Sequence, residues 1–280
     1  MSIERVHYKT FKQGSKTYFY SSLFFPREIR RDVFSLYGFV RVADDFVDAE
    51  PQDVAGFHRF KDEYHSAREG GHTDDVIISS FVELMQRRAF DPQWVDAFLA
   101  SMEMDLTKKV HLTLDEALEY VHGSAEVIGL FMARIMGLAP DSHPYAMMLG
   151  RAMQYINFIR DIEEDRRLGR LYLPLEGSGL CSLDYEHVCA NGDAFCRFIK
   201  AQVERYREWQ EEAEKGFAYI PRSYLIPIKT ASDMYKWTAR IIEHNPFIVY
   251  YEKAKPRRRR IVMQALWNTL RPVGRGVGYA

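Results

Sequence analysis

Two apolar stretches with helical spacing each carry aspartates four residues apart, and any fold that buries them must answer for the charge. The first is Tyr37-Gly38-Phe39-Val40-Arg41-Val42-Ala43-Asp44-Asp45-Phe46-Val47-Asp48. At ~100° per residue, Tyr37, Arg41, Asp44 and Asp48 share one helix face. The second runs from Gln154 to Pro174, and there Gln154, Asn157, Asp161 and Asp165 share a face. Val33, Leu36, Phe39, Val40 and Val47 flank the first face, and Ile156, Phe158, Ile159 and Ile162 the second, so both read as buried. A buried carboxylate is costly unless it is paired or holds a metal. Two such faces meeting across a cavity repel and raise one another's pKa. One such pair is usually a solvated helix face. Two pairs, each near arginine (Arg41; Arg160, Arg166 and Arg170), point to divalent cations shared between carboxylates and a phosphorylated ligand.

The surrounding chain has helical periodicity nearly throughout. Helices are expected at about 26–49, 53–68, 74–89, 91–106, 113–137, 141–167, 193–218, 223–243 and 256–270, with a loop after Pro174 and a frayed tail at 271–280. Asp91-Pro92 reads as an N-cap followed by Pro at the first helical position, and Thr113-x-x-Glu116 as a capping box. No strand alternation, fixed repeat, persistent heptad or low-complexity linker interrupts this pattern. The expected fold class is all-α, with residues 1–280 forming one domain. A hydrophobic fraction of 47% supplies a sizeable core.

Several functions are disfavoured. A net charge of −1 gives no global attraction to nucleic acid or anionic lipid. The start Met1-Ser2-Ile3-Glu4-Arg5 lacks a signal-peptide core, and no run of ~20 apolar residues spans a membrane. The three cysteines, Cys181, Cys189 and Cys196, match no metal spacing and fit free thiols in a reducing compartment. The expected location is cytoplasmic, with peripheral membrane contact left open. GxGxxG, Walker A, HExxH and GxSxG motifs are absent, and no nicotinamide motif is recognised.

Paired acidic faces beside arginines suit ionisation of an allylic diphosphate. Divalent cations act on the leaving group as Lewis acids. Arginine suits bidentate phosphate contact. The carbocation left behind needs a dry, aromatic wall.

The ordered motifs resemble the squalene/phytoene synthase family. Asp44-Asp45-Phe46-Val47-Asp48 and Asn157 to Asp165 are similar to its two acidic motifs. Gly14-Ser15-Lys16-Thr17-Tyr18 is similar to its N-terminal flap. Tyr120, with Gly123-Ser124-Ala125-Glu126-Val127-Ile128-Gly129, resembles a further family helix, and Arg170-Leu171-Tyr172-Leu173-Pro174 the segment after the second motif. The resemblance implies an isoprenoid-synthase-type helical bundle with a central cavity. It implies Mg²⁺ (with Mn²⁺ as an alternative) on Asp44, Asp48, Asp161 and Asp165. Ser15, Thr17, Arg41, Gln154, Asn157, Arg160 and Arg170 would bind substrate, with Asn157 assisting the metal and diphosphate shell and Gln154 lining the channel. Tyr37, Arg41 and Tyr172 would act at the reacting centre. Gly123, Ala125 and Gly129 would let a prenyl chain pass. Two positions depart from the pattern: His122 stands where an aromatic Tyr is common, and Glu126 where Gly is common.

The implied activity is head-to-head joining of two prenyl diphosphates through a cyclopropyl intermediate. Without a nicotinamide motif, the first expectation is phytoene from two geranylgeranyl diphosphates, a carotenoid-pathway transferase reaction. Coupling of farnesyl diphosphate to dehydrosqualene, squalene or presqualene diphosphate is the alternative. A head-to-tail prenyl synthase and a non-catalytic assembly protein are the rivals. Among other residues, Asp105 reads as a structural cap or partner, and Glu163 as solvated. Asp45 and Glu164 are candidates to join the metal shell. For the basic run Lys253 to Arg260, a solvated helix start, an anionic-lipid contact and a cation over the diphosphate stay open.

Overall fold

The computed structural model describes residues 3–270. Fifteen α-helices occur among them: α1 (Ile3–Gly14), α2 (Lys16–Ser22), α3 (Arg27–Asp48), α4 (Val54–Arg68), α5 (Val76–Arg88), α6 (Pro92–Thr107), α7 (Leu114–Val121), α8 (Val127–Ile135), α9 (His143–Arg160), α10 (Ile162–Arg167), α11 (Tyr185–Ala190), α12 (Gly192–Glu214), α13 (Arg222–His244), α14 (Ile248–Tyr251) and α15 (Arg258–Leu270). No strand occurs among the described residues, although an isolated bridge pairs Val110 with Leu171. The tail 271–280, expected to fray, lies outside the described residues.

Caps set many of the helix starts. The side chains of Asp53, Asp75, Asp91 and Thr113 each accept a backbone N–H of the first turn, satisfying donors that a helix start leaves open. The capping box is shifted by one residue, because the Glu116 carboxylate accepts the Leu112 N–H instead of the Thr113 N–H. The long helix expected at 113–137 is broken by a π-helical turn at His122–Glu126. The helix expected at 141–167 breaks at Asp161, whose φ of −100° and ψ of 17° leave the helical region. Hydrogen bonds still cross that break, Asp161 N–H to Asn157 O and Asp165 N–H to Asp161 O. Gln154, Asn157, Asp161 and Asp165 therefore keep nearly the face that an unbroken helix would give them.

One continuous hydrophobic cluster holds the helices together. Phe39 of α3 stacks on Phe81 of α5 with ring centroids 3.8 Å apart, and Phe60, Tyr64 and Phe98 surround the pair. α9 packs along α12 on one side and α8 on the other. Close approach needs glycine at two crossings: a Cβ on Gly129 would lie 2.1 Å from Ala146 O, and one on Gly150 would lie 2.2 Å from Ala125 O. These contacts place α3 and α9 as walls of one cavity.

Candidate active site

A cavity of about 1740 Å³ lies between α2, α3, α8, α9 and α13, with Lys253 to Arg258 closing one side. Ser15 and Thr17 border it from the start of α2. Tyr37, Arg41, Asp44 and Asp48 border it from α3. Gln154, Asn157, Arg160, Asp161 and Asp165 border it from α9 and α10, and Arg170 from the loop beyond. The two acidic faces thus open on one space. Away from them the lining turns apolar, through Ile128, Met132, Ala146, Leu149, Phe217 and Ile228.

Each acidic face already carries an arginine. Arg41 donates to Asp44 at 2.8 Å and also pairs with Asp45. Arg160, itself buried, grips Asp161 through two hydrogen bonds, one of them 2.9 Å from Nε to Oδ1. Arg170 crosses between the faces: it donates to Asp48 Oδ1 at 2.6 Å and to the Val47 carbonyl at 2.7 Å.

The arginines leave the carboxylates unequal. Burial raises the Asp161 pKa, but the Arg160 pair more than reverses this and holds it below the ordinary value. Burial, then repulsion from Asp48, pushes Asp44 up to about 7 despite Arg41. Burial and the Asp161 charge push Asp165 well up. Asn157 donates Nδ2 to Gln154, while its buried Oδ1 has no partner. Carboxylates that repel one another across this space and an orphaned amide oxygen are the hard oxygen donors that a divalent cation prefers. Among the described residues, no three His, Cys, Asp or Glu side chains converge as a complete metal site. Ligand oxygens would have to complete the shell, as is common for Mg²⁺ at phosphate sites.

Tyr37 lies in the cavity wall with its ring stacked on Phe11, centroids 3.8 Å apart. Burial raises its pKa and keeps the phenol protonated. Gly14 makes room for it, because a Cβ there would fall 2.2 Å from the Tyr37 hydroxyl. Ser15 caps α2 by accepting the Tyr18 N–H.

Tyr172 corrects its expected place, since it does not border the large cavity. Its ring stacks on Phe158 at 4.5 Å, and its hydroxyl donates to Asp105 at 2.7 Å. Tyr120 donates to the other Asp105 oxygen at 2.7 Å and does border the cavity. Asp105 is thus the buried acceptor for two tyrosines, a role hidden in the sequence because its partners lie 15 and 67 residues away.

Gly123 also differs from expectation. It faces α6, where a Cβ would meet Ser101 Oγ and Ala97 O, so its small size serves helix packing. The two departures from the family pattern fall together in the π-helical turn. Glu126 is buried and accepts from Arg151 at 2.5 Å and from His122 at 2.9 Å. Glu163 is mostly covered and pairs with Arg166 and Arg167, so it is not a solvated residue. Glu164 borders the cavity and pairs with Lys253, whereas Asp45 is spent on Arg41.

The basic run contributes residues to this wall. Lys255 borders the cavity near Arg160 and Asp161. Lost hydration, then Arg160, push its pKa down to about 8. Tyr18 and Tyr235, with ring centroids 5.6 Å apart, complete the aromatic lining. Only the density of positive charge marked Lys255 in the sequence, and nothing marked Tyr235.

The chain belongs to the squalene/phytoene synthase family, whose model matches residues 11–266. A chloroplastic phytoene synthase from Daucus carota is 29% identical over 86% of this chain and 63% of its own length. A 15-cis-phytoene synthase from Synechocystis is 28% identical over 86% of this chain and 77% of its own. The chain therefore spans less than two thirds of the carrot protein. In fold it is similar to a squalene synthase from Alicyclobacillus acidocaldarius, with TM-score 0.77 at 22% identity over 88% of this chain and 94% of that one. A ligand-bound dehydrosqualene synthase gives TM-score 0.81 at 19% identity over 95% of each chain. The all-α isoprenoid-synthase-type architecture is thereby established.

Proposed function

We propose that the chain, working as one unit of 280 residues in the cytoplasm, is a Mg²⁺-dependent prenyltransferase that joins two geranylgeranyl diphosphates head to head to give phytoene. The observation that carries this is one cavity with two opposed acidic faces and a long apolar extension. Along α9 it runs from Tyr145 to Arg160, roughly 22 Å at 1.5 Å per residue. Its volume of about 1740 Å³ exceeds the usual range for a small-ligand site, as two long prenyl chains require. The sequence relatives named as phytoene synthases favour the longer substrate over farnesyl diphosphate.

Asp44, Asp48, Asp161 and Asp165 would hold Mg²⁺, with Asn157 Oδ1 as a further oxygen donor. When bound, the ion neutralises diphosphate oxygens and makes them a better leaving group. Arg41, Arg160 and Arg170 lie beside these carboxylates and orient the diphosphates. Lys255, near Arg160 and Asp161, adds a cation to the same end. The Ser15 and Thr17 hydroxyls approach from α2. After the first C–O bond breaks, the C1 cation is attacked by the double bond of the second chain, giving the cyclopropylcarbinyl diphosphate. Tyr18, Tyr37 and Tyr235 present aromatic surface to the cation and exclude water. A second ionisation and rearrangement gives the hydrocarbon, with released diphosphate taking the protons lost.

Incubation of purified protein with Mg²⁺ and either geranylgeranyl or farnesyl diphosphate, followed by product chromatography, tests this. Phytoene is expected. A C30 product formed only from farnesyl diphosphate would correct the chain length. Products that require isopentenyl diphosphate would replace the assignment by head-to-tail synthesis. Asp44→Ala and Asp161→Ala should each abolish turnover, and full activity in either refutes the metal role.

A further inference from the structure

His122 and Glu126, the two residues that depart from the family pattern, have no part in the reaction described above. They are the first and last residues of the π-helical turn between α7 and α8. Such a turn absorbs one residue more than an α-helix would, and the extra residue changes which side chains share a face. At ~100° per residue, Tyr120 and Met132 would stand about 120° apart on an unbroken α-helix, and Tyr120 and Ile128 about 80° apart. Taking up one residue brings both to within roughly 20° of Tyr120. All three border the cavity. The turn therefore aligns Tyr120 of α7 with the apolar wall that α8 gives to the channel.

A π turn is rare, and its support here comes from outside the cavity. Glu126 is 2% exposed, and both its oxygens are taken. Oε1 accepts from Arg151 Nε at 2.5 Å, and Oε2 from His122 Nδ1 at 2.9 Å. Arg151 belongs to α9, and its guanidinium covers the Trp209 ring of α12 at 5.4 Å. None of His122, Glu126 and Arg151 borders the cavity. Their pairing lies where two backbones touch: Gly150, beside Arg151, faces the carbonyl of Ala125, beside Glu126, and a Cβ on Gly150 would come 2.2 Å from that oxygen. No side chain cushions a shift at this crossing. Any slip of the turn moves Ala125 and Ile128 against Leu149, Gly150 and Met153 in the channel wall. At 1.5 Å per residue, Gly150 stands roughly 15 Å along α9 from Arg160, so the slip is felt far from the diphosphate end.

We infer that Glu126 and Arg151 are a positioning pair: by holding the π-helical turn against α9, they set the channel wall and with it the prenyl chain length that the cavity prefers. A buried ion pair adds little net stability over apolar residues of similar volume, but it fixes one geometry. The inference rests on the reading of the cavity as a prenyl diphosphate site.

Titration of the full chain, with Mg²⁺, by inorganic diphosphate and by farnesyl and geranylgeranyl thiodiphosphates tests it. Glu126→Gln should leave the affinity for inorganic diphosphate within about twofold. It should shift the ratio of the two prenyl affinities towards the shorter chain by at least about fivefold, somewhat less than one methylene contact. Glu126→Leu with Arg151→Met should restore the wild-type melting temperature but not the wild-type ratio. Arg151→Lys keeps the charge and loses the Nε donor, so it should shift the ratio the same way by at least about twofold, and it carries the test should Glu126→Gln misfold. An unchanged ratio in the single variants overturns the inference. So does an apolar pair that regains the ratio together with the melting temperature, which would leave the ion pair a purely structural role. Wild-type protein that binds neither thiodiphosphate refutes instead the prenyl reading on which the inference stands.

Discussion

Replacing Asp105 should separate the geometry of its hydrogen bonds from its charge. The carboxylate is 2% exposed and accepts from Tyr120 and Tyr172, each at 2.7 Å. Asp105→Ala removes both bonds and leaves two buried hydroxyls unpaired. Hydrogen bonds to a charged group contribute about 1.5–3 kcal/mol each. Against this, the variant no longer has to bury a carboxylate, a cost evident in the raised pKa of Asp105. A net loss of about 2–4 kcal/mol is therefore expected, lowering the melting temperature by about 5–12 °C for a chain of this size. Asp105→Asn keeps one acceptor and offers an N–H to the second tyrosine, so its cost should stay within about 1 kcal/mol. The charge shows in the pH dependence. Burial raises the Asp105 pKa above its ordinary 3.8, so the folded protein binds a proton more tightly than the unfolded chain. Wild-type stability relative to Asp105→Asn must then fall as pH rises from about 3.8 to the folded pKa, and stay level above it. Melting curves of the three proteins across pH measure both effects. An Ala variant as stable as wild type, or an Asn variant as damaged as Ala, would refute the two-acceptor role.

Two other outcomes follow from the cavity. Tyr145→Ala removes a side chain at the end of α9 remote from the aspartates, so it should raise turnover of geranylfarnesyl diphosphate relative to geranylgeranyl diphosphate by about tenfold, the scale of a few methylene contacts; an unchanged ratio in competition assays places the channel end elsewhere. Asp44, with a pKa near 7, must lose its proton to hold a cation, so Mg²⁺ with a thiodiphosphate analogue should bind more tightly as pH rises from 5.5 to 7 and then level off; without ligand, the same raised pKa makes stability fall as pH rises from 3.8 towards 7. Calorimetry in two buffers at pH 6 should detect proton release, and its absence counts against Asp44 as a ligand.

The long elements were legible because their apolar period and caps agree. The expected helix at 53–68 is observed as Val54–Arg68, and the one at 91–106 as Pro92–Thr107. The apolar pattern predicts no helix for α1 or α2, although their junction carries the motif Gly14-Ser15-Lys16-Thr17-Tyr18. α2 has only seven residues, too few to display a period, and its ordering comes from the Ser15 cap and from packing on α13 and α15. The π-helical turn was equally hidden, because it depends on Arg151, 25 residues beyond Glu126, to neutralise a buried acid. The candidate residues on α3 and α9 border one cavity, and the sequence can show this because angular position around a helix is a local property. Tyr172 lies off that cavity because its direction is set by Asp105 and Phe158, which no local pattern connects to it.

The two acidic faces look equivalent in sequence, yet the fold makes them different. Arg160 holds the Asp161 pKa down, whereas Asp44 shares Arg41 with Asp45 and has its pKa pushed up to about 7 by burial and by the Asp48 charge. Arg170 belongs to the second motif's continuation but binds the first motif's Asp48, so it ties the faces together across the cavity. A cation arriving with a diphosphate therefore meets unequal sites: on one side a carboxylate already charged but engaged with arginine, on the other one that must release a proton. Arg170 has to yield Asp48, or share it, when a diphosphate takes its place, while its hydrogen bond to Val47 O keeps the guanidinium in position. Arg170→Lys should expose this coupling: it preserves the charge but loses the fork that serves Asp48 and Val47 O together. Substrate affinity should fall about tenfold, the scale of one charge-assisted hydrogen bond of about 1.5 kcal/mol, and the pH midpoint for Mg²⁺ binding should move upward, as the charge on Asp48 that opposes ionisation of Asp44 is left less well paired. An unchanged midpoint with weakened affinity would confine Arg170 to diphosphate contact and refute its role between the faces.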